Sequence, residues 1–141
     1  MSVARARGHW YVCVQRGEAL LETALVLPLL LLLAFGVVGA GRVTQARLGV
    51  GAAAREAARA AVGVRNVGTG RERGVETARG YGLTNGSLEL LVDGGGFAPG
   101  GRAVGVASYT VGFDNLPLLG WARVTVRAEA WEAIDHYRSA R

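Results

Sequence analysis

A chain of 141 residues holds enough material for one globular core and too little for two. Half of its residues are hydrophobic and 19% are charged, below the usual quarter, which excludes a disordered polar chain. The net charge of +5 rests on sixteen basic residues, all Arg, and the lone Cys13 excludes an internal disulfide framework and a multi-cysteine metal site.

The first seventeen residues carry Arg5, Arg7 and Arg16 and read as a basic leader ending at Gly17. Glu18 and Glu22 follow, and from Thr23 to Gly41 no residue is charged. A soluble core helix keeps a polar face, whereas Ala24 to Ala40 is apolar on every side. At 1.5 Å per residue, 23–41 covers roughly 28 Å, close to the ~30 Å hydrocarbon core, and is expected to cross a membrane. Pro28 removes a backbone donor in the first half of this helix and should kink it. The freed carbonyl then favours packing against another helix or subunit; a tolerated kink is the plainer alternative. Arg42, Arg47, Arg55 and Arg59 balance the leader's basic residues, so charge alone does not orient the span. The folded portion lies on its C-terminal side, which favours export of that side.

Glu22 stands at the mouth of the apolar run. An acid costs about 2.5–3.5 kcal/mol at the centre of a span and less near the interface, so it calls for a cation. A cut after Gly17 would place a new α-amino group on Glu18, one helical turn from Glu22. In a helical assembly each Glu22 would then meet the terminal ammonium of a neighbour. The plainer alternative is a side chain that rests in the headgroup zone. Two rival fates remain open for the segment. One is a cleavable secretory signal, with Val38-Gly39-Ala40 before the cut, that releases a soluble domain beginning at Gly41. The other is a single-pass anchor without processing.

Beyond Arg42 the helical pattern continues to about residue 62. Val43, Ala46, Val50, Ala53, Ala54, Ala57 and Ala61 share one arc, opposite Arg47, Arg55, Glu56 and Arg59, with Leu48 as the exception. The alanines permit close backbone approach by a sheet or helix. Gly49 and Gly51 are its expected weak point. Val64 to Gly70 reads as a Gly-rich break, Arg71 to Tyr81 as a short polar helix with Glu72 and Glu76 set against Arg73 and Arg79, and Asn85-Gly86 as a turn. Three strand candidates follow: Leu88 to Val92, Arg102 to Phe113 and Trp121 to Glu132. In the last, Ala122, Val124, Val126, Ala128 and Ala130 face one way, with small side chains that match the alanine stripe. The expected fold is α+β: a long N-terminal helix, membrane-spanning in its first half, packed on an antiparallel sheet of three or four strands. The division is 1–17, 18–62 and 63–141.

The run Arg16-Gly17-Glu18-Ala19-Leu20-Leu21-Glu22-Thr23-Ala24-Leu25-Val26-Leu27-Pro28-Leu29-Leu30, followed by Gly36 and Gly41-Arg42, resembles the N-terminal region of TadE-like proteins. These are minor pilins, or pseudopilins, of the Tad/Flp type IV pilus system. The Ala52-Ala-Ala-Arg55-Glu56-Ala-Ala-Arg59 stretch resembles the family's helix beyond the membrane. Thr23 stands where the family has an aromatic, and Gly39-Ala40 where many members carry an acidic–aromatic pair. The resemblance implies cleavage after Gly17 by a membrane-embedded aspartyl prepilin peptidase, a cytoplasmic leader and an extracytoplasmic C-terminal part. It implies roles for Gly17 and Glu18 at the cut, for Glu22 in register with a neighbour, and for Pro28 and Gly36 in helix kinking and packing. The implied partners are membrane lipid, prepilin peptidase, other pilin subunits and the Tad inner-membrane machinery. Removing the leader lowers the net charge from +5 to +2 and removes Cys13 and His9.

Catalytic chemistry is sparse. Gly49-Val-Gly51-Ala-Ala-Ala54 has a dinucleotide-like spacing but follows an apolar helix rather than a strand. Gly68-Thr-Gly70 and Gly94-Gly-Gly96 read as turns. His136 beside Asp135 could form half of a dyad with Ser108 or Ser139, although a solvated His is the simpler reading. His9, Cys13 and His136 are too scattered for a metal site. Asn85-Gly-Ser87 is a glycosylation acceptor only in a host that modifies such sites. Trp121, Trp131 and Tyr109 form either an exposed aromatic patch or, as the simpler expectation, sheet core. The sequence therefore points to a non-enzymatic pilin-like subunit without cofactor or metal. A nucleic-acid binder is the third alternative, with little support from the charge balance of residues 42–141.

Overall fold

The computed structural model describes residues 9–84, 87–117 and 120–135, with side chains from residue 20 onward. The Asn85-Gly86 turn, His136, Ser139 and the side chains of His9, Cys13 and Glu18 therefore lie outside what is described. Helix α1 runs over His9–Val64, nine residues earlier than the 18–62 division placed its start, and includes Pro28. Helix α2 follows over Val67–Gly80, and then strands β1 (Leu88–Asp93), β2 (Arg102–Gly112) and β3 (Arg123–Ala133). The chain divides into two compact units, Met1–Val38 and Gly39–Arg141.

In the first unit the described side chains are those of an apolar helix turned outward. Leu20, Leu25 and Leu33 are all exposed. An 18-residue window of α1 reaches a mean hydropathy of 2.5 with 6% of it buried. A helix long and apolar enough to cross a membrane thus lacks the protein cover that a soluble core helix would have.

The second unit is an α+β layer structure that includes the C-terminal part of α1. Its sheet is an antiparallel meander in the order β1-β2-β3. Leu90 pairs with Ala107, and Ala107 with Ala128, so inward positions align across all three strands. In β2 every inward residue from Ala103 to Val111 is buried. Most of the expected face of β3 is also present: Val126 is buried and Ala128 and Ala130 half-buried, while Val124 at its start is exposed, as are Arg127 and Glu129 on the other face. Ala46, Val50, Ala53, Ala54 and Ala57 of α1 join Leu90, Ala107, Tyr109, Val111 and Val126 in one core cluster. The alanine stripe thus does what its spacing predicts. Leu48, its one misfit, stays exposed.

The presumed break at residues 64–70 is mostly helix. Asn66, in extended conformation, accepts hydrogen bonds from the amides of Gly68 and Thr69 at 2.7 and 3.2 Å and starts α2 at Val67 rather than Arg71. Gly70, Gly74 and Ala78 recur every four residues and are buried. A Cβ on Gly70 would lie 2.6 Å from the Ala57 carbonyl oxygen, and one on Gly74 would lie 2.8 Å from Ala57 Cβ. These glycines bring two helices together instead of breaking the chain, which propensity alone does not reveal. Gly49 is corrected in the same way. It is buried in intact helix, and a Cβ there would meet Tyr81 Cβ at 2.8 Å. Of the charges expected to pair on α2, Arg73 and Glu76 form an exposed ion pair at 3.1 Å.

Candidate functional site

The segment singled out by its charges lies on the first half of α1. Gly17 and Glu18 are within the helix, which continues through Glu22 into the uncharged run. Residues 18 and 22 are one turn apart, a rise of about 6 Å along a helix axis. Glu22 is exposed, and no hydrogen bond or ion pair reaches it among the described residues. In water such a carboxylate is ordinary. At the end of a helix that crosses a lipid bilayer, such a carboxylate would call for a cation.

Pro28 lies inside α1 without ending it. It cannot supply the amide that the Ala24 carbonyl would accept four residues earlier, so that acceptor must find another donor. At Gly36 a Cβ would meet nothing within 4 Å, which leaves that face open among the described residues. A small residue on an open face of an apolar helix permits close approach by a second helix.

Among the described residues the other candidate chemistry is not brought together. Ser108, half-buried on β2, pairs in register with Arg127, and no group of three or more His, Cys, Asp or Glu converges among the described residues. Gly49-Val-Gly51 lies mid-helix. Gly95 to Phe97 form a short 3-10 turn after β1, consistent with the reading of 94–96 as a turn. The aromatic expectation needs correction: Tyr109 belongs to the core, but Trp121 and Trp131 are 82% and 66% exposed. Trp131 alternates with the half-buried Ala130 and takes the outward register of β3, so strand parity already held this information.

The apolar helix, its leading acid, its internal Pro and its alanine-rich continuation all fall within one contiguous stretch. Residues 17–59 match the family model of TadE-like proteins. The TadE-like match begins at Gly17 and takes in Glu22, Pro28, Gly36 and the alanine stripe to Arg59. It covers under a third of the chain, and α2 and the sheet lie beyond it. The TadE-like family suggests a part in Tad pilus assembly, in agreement with the resemblance visible in the residues. No curated protein and no solved structure matches the chain.

Proposed function

We propose that the chain is a non-enzymatic, minor pilin-like subunit of a Tad-type pilus or secretion machine. A prepilin peptidase trims the leader, residues 1–17, on the cytoplasmic side. Residues 23–41 hold the subunit in the membrane by a single pass and pack it against other subunits. The part beyond them, including the 63–141 domain, stands outside the cell membrane, where it caps or initiates a filament. Glu22 sets register by pairing with the α-amino group of Glu18 on a neighbouring subunit. The observation that carries this reading is the exposed Glu22, without a partner among the described residues, at the entrance of an exposed apolar helix within the stretch that matches the TadE-like model.

The signal-peptidase alternative has less support. Its cleavage site would fall after Ala40, inside the stretch that matches the TadE-like model, next to Gly39, which is buried. The test combines intact-mass measurement with an assembly assay in cells carrying active prepilin peptidase. The expected mature chain begins at Glu18, and Glu22→Ala is processed normally but fails to co-purify with its pilus or machine. An N-terminus at Met1 or Ser2 defeats the processing step. A normally assembled Glu22→Ala protein defeats the pairing.

A further inference from the structure

A groove of about 590 Å³ opens at one end of the second unit, lined by Arg42 of α1, Tyr81 after α2, Thr110 at the end of β2, Asp114 in the following turn and Arg123 at the start of β3. Several of its other polar groups are already engaged. Gln45 Nε2 donates to the Tyr81 carbonyl at 3.3 Å, Ser87 Oγ donates to the Thr110 carbonyl at 3.2 Å, and the Thr110 and Thr125 hydroxyls lie 3.0 Å apart. The two guanidiniums are not: among the described residues neither Arg42 nor Arg123 has an ion-pair or hydrogen-bond partner, although Asp114 shares their groove. Residues distant in sequence thus converge on a pocket with two unspent cations and one anion.

The chain itself fixes where this groove opens. Arg42 is the first charged residue after the uncharged run of 23–41. Phe113, which joins β2 to the Asp114 turn, lies 3.5 Å from where a Gly39 Cβ would be, so this end of the sheet reaches the last residues of that run. Trp121, 82% exposed, precedes Arg123 by two residues, and Trp is the residue favoured at a membrane–water boundary. Guanidinium forks match phosphate oxygens, and they release their water more readily than an ammonium does.

We propose that this groove binds the phosphate headgroup of an anionic phospholipid between Arg42 and Arg123. The proposal rests on residues 23–41 lying in lipid, but not on cleavage, pairing of Glu22 or the direction of insertion. The bound lipid ties the sheet unit to the membrane surface beside its own helix.

The full chain, purified from membranes in mild detergent, is incubated with phosphatidylglycerol or phosphatidylcholine, and retained lipid is counted by native mass spectrometry. Arg42→Gln and Arg123→Gln are each expected to lose about fivefold in phosphatidylglycerol retention. Asp114→Asn, which removes the repelling charge, is expected to gain; a gain cannot come from misfolding. Arg47→Gln, five residues further along α1 and outside the groove, is expected to retain lipid as the parent does. Equal losses for Arg47→Gln and Arg123→Gln, an inert Asp114→Asn, equal retention of the two lipids, or displacement by soluble glycerol phosphate at matching concentration would each overturn the site. A parallel carbonate wash separates the two levels. Release of the parent chain from membranes condemns the membrane span, whereas a resistant chain with indifferent variants condemns the groove.

Discussion

At the scale of single residues, the molecule is shaped by side chains it lacks. A Cβ on Gly105 would run into the Ala54 carbonyl oxygen and press on the Ala58 amide at 3.3 Å. Both are helix backbone and cannot rotate aside. Gly105→Ala is therefore expected to push α1 off β2 and cost about 1–3 kcal/mol, the usual range for overpacking, read as a lower denaturant midpoint of the full chain in detergent. Gly36→Ala gives the opposite sign, because the site is helical and empty around the missing Cβ. Removing a helix-interior glycine there should stabilise by about 0.5–1 kcal/mol. If Gly36 is the seat of a neighbouring helix, the same variant assembles less well while melting no earlier. A midpoint at or below that of the parent would show that the position is already occupied or strained within the chain. The sequence showed that these residues are small, but not which were needed small. Gly105, Gly74 and Gly36 look alike until the backbone opposite each is known.

At the scale of elements, legibility followed the length and regularity of the pattern. The strands could be read because inward and outward residues alternate over many positions, and the observed register keeps that alternation across all three. The C-terminal half of α1 could be read because seven small or branched residues share one arc. Helix α2 was misplaced at its start because glycine signals a break when only local propensity is weighed. Tertiary contact with Ala57 and Ala61 reverses that sign at Gly70. The Arg42–Arg123 groove left no sequence signal at all, since no periodicity links a helix residue to a strand eighty residues later. The local signal missed at α2 was Asn66, an N-cap followed by a run of amides. Asn66→Ala deprives Gly68 and Thr69 of their acceptor and is expected to cost about 1 kcal/mol. The loss should appear as faster hydrogen exchange in the first turn of α2, with the β2 amides protected as before. Uniform acceleration across both elements would show instead that α2 and the sheet open as one cooperative body.

At the scale of the whole molecule, direction across the membrane is the property that charge leaves undecided, since Arg residues flank both ends of the uncharged run. The chain carries its own reporter. Cys13 is its one thiol and lies in the segment that processing would remove. In cells lacking prepilin peptidase, a membrane-impermeant maleimide is expected to leave Cys13 unlabelled until the cells are lysed. With active peptidase, the mature chain should resist labelling even after lysis, because the thiol has left with the leader. Arg127→Cys places a second reporter on an exposed outward position of β3, far from Arg42 and Arg123 in role. It should react in intact cells with a reagent small enough to reach the periplasm. The pair of reporters makes the outcome decisive. Labelling of Cys13 but not of residue 127 in intact cells reverses the orientation, and labelling of both there means that neither end is shielded by the inner membrane. A lysis-dependent Cys13 signal that persists with active peptidase keeps the orientation and removes the cleavage. In that case the cation for Glu22 cannot be a trimmed chain end, and the leader's own Arg16, just ahead of Gly17, becomes the nearest source of positive charge in the sequence.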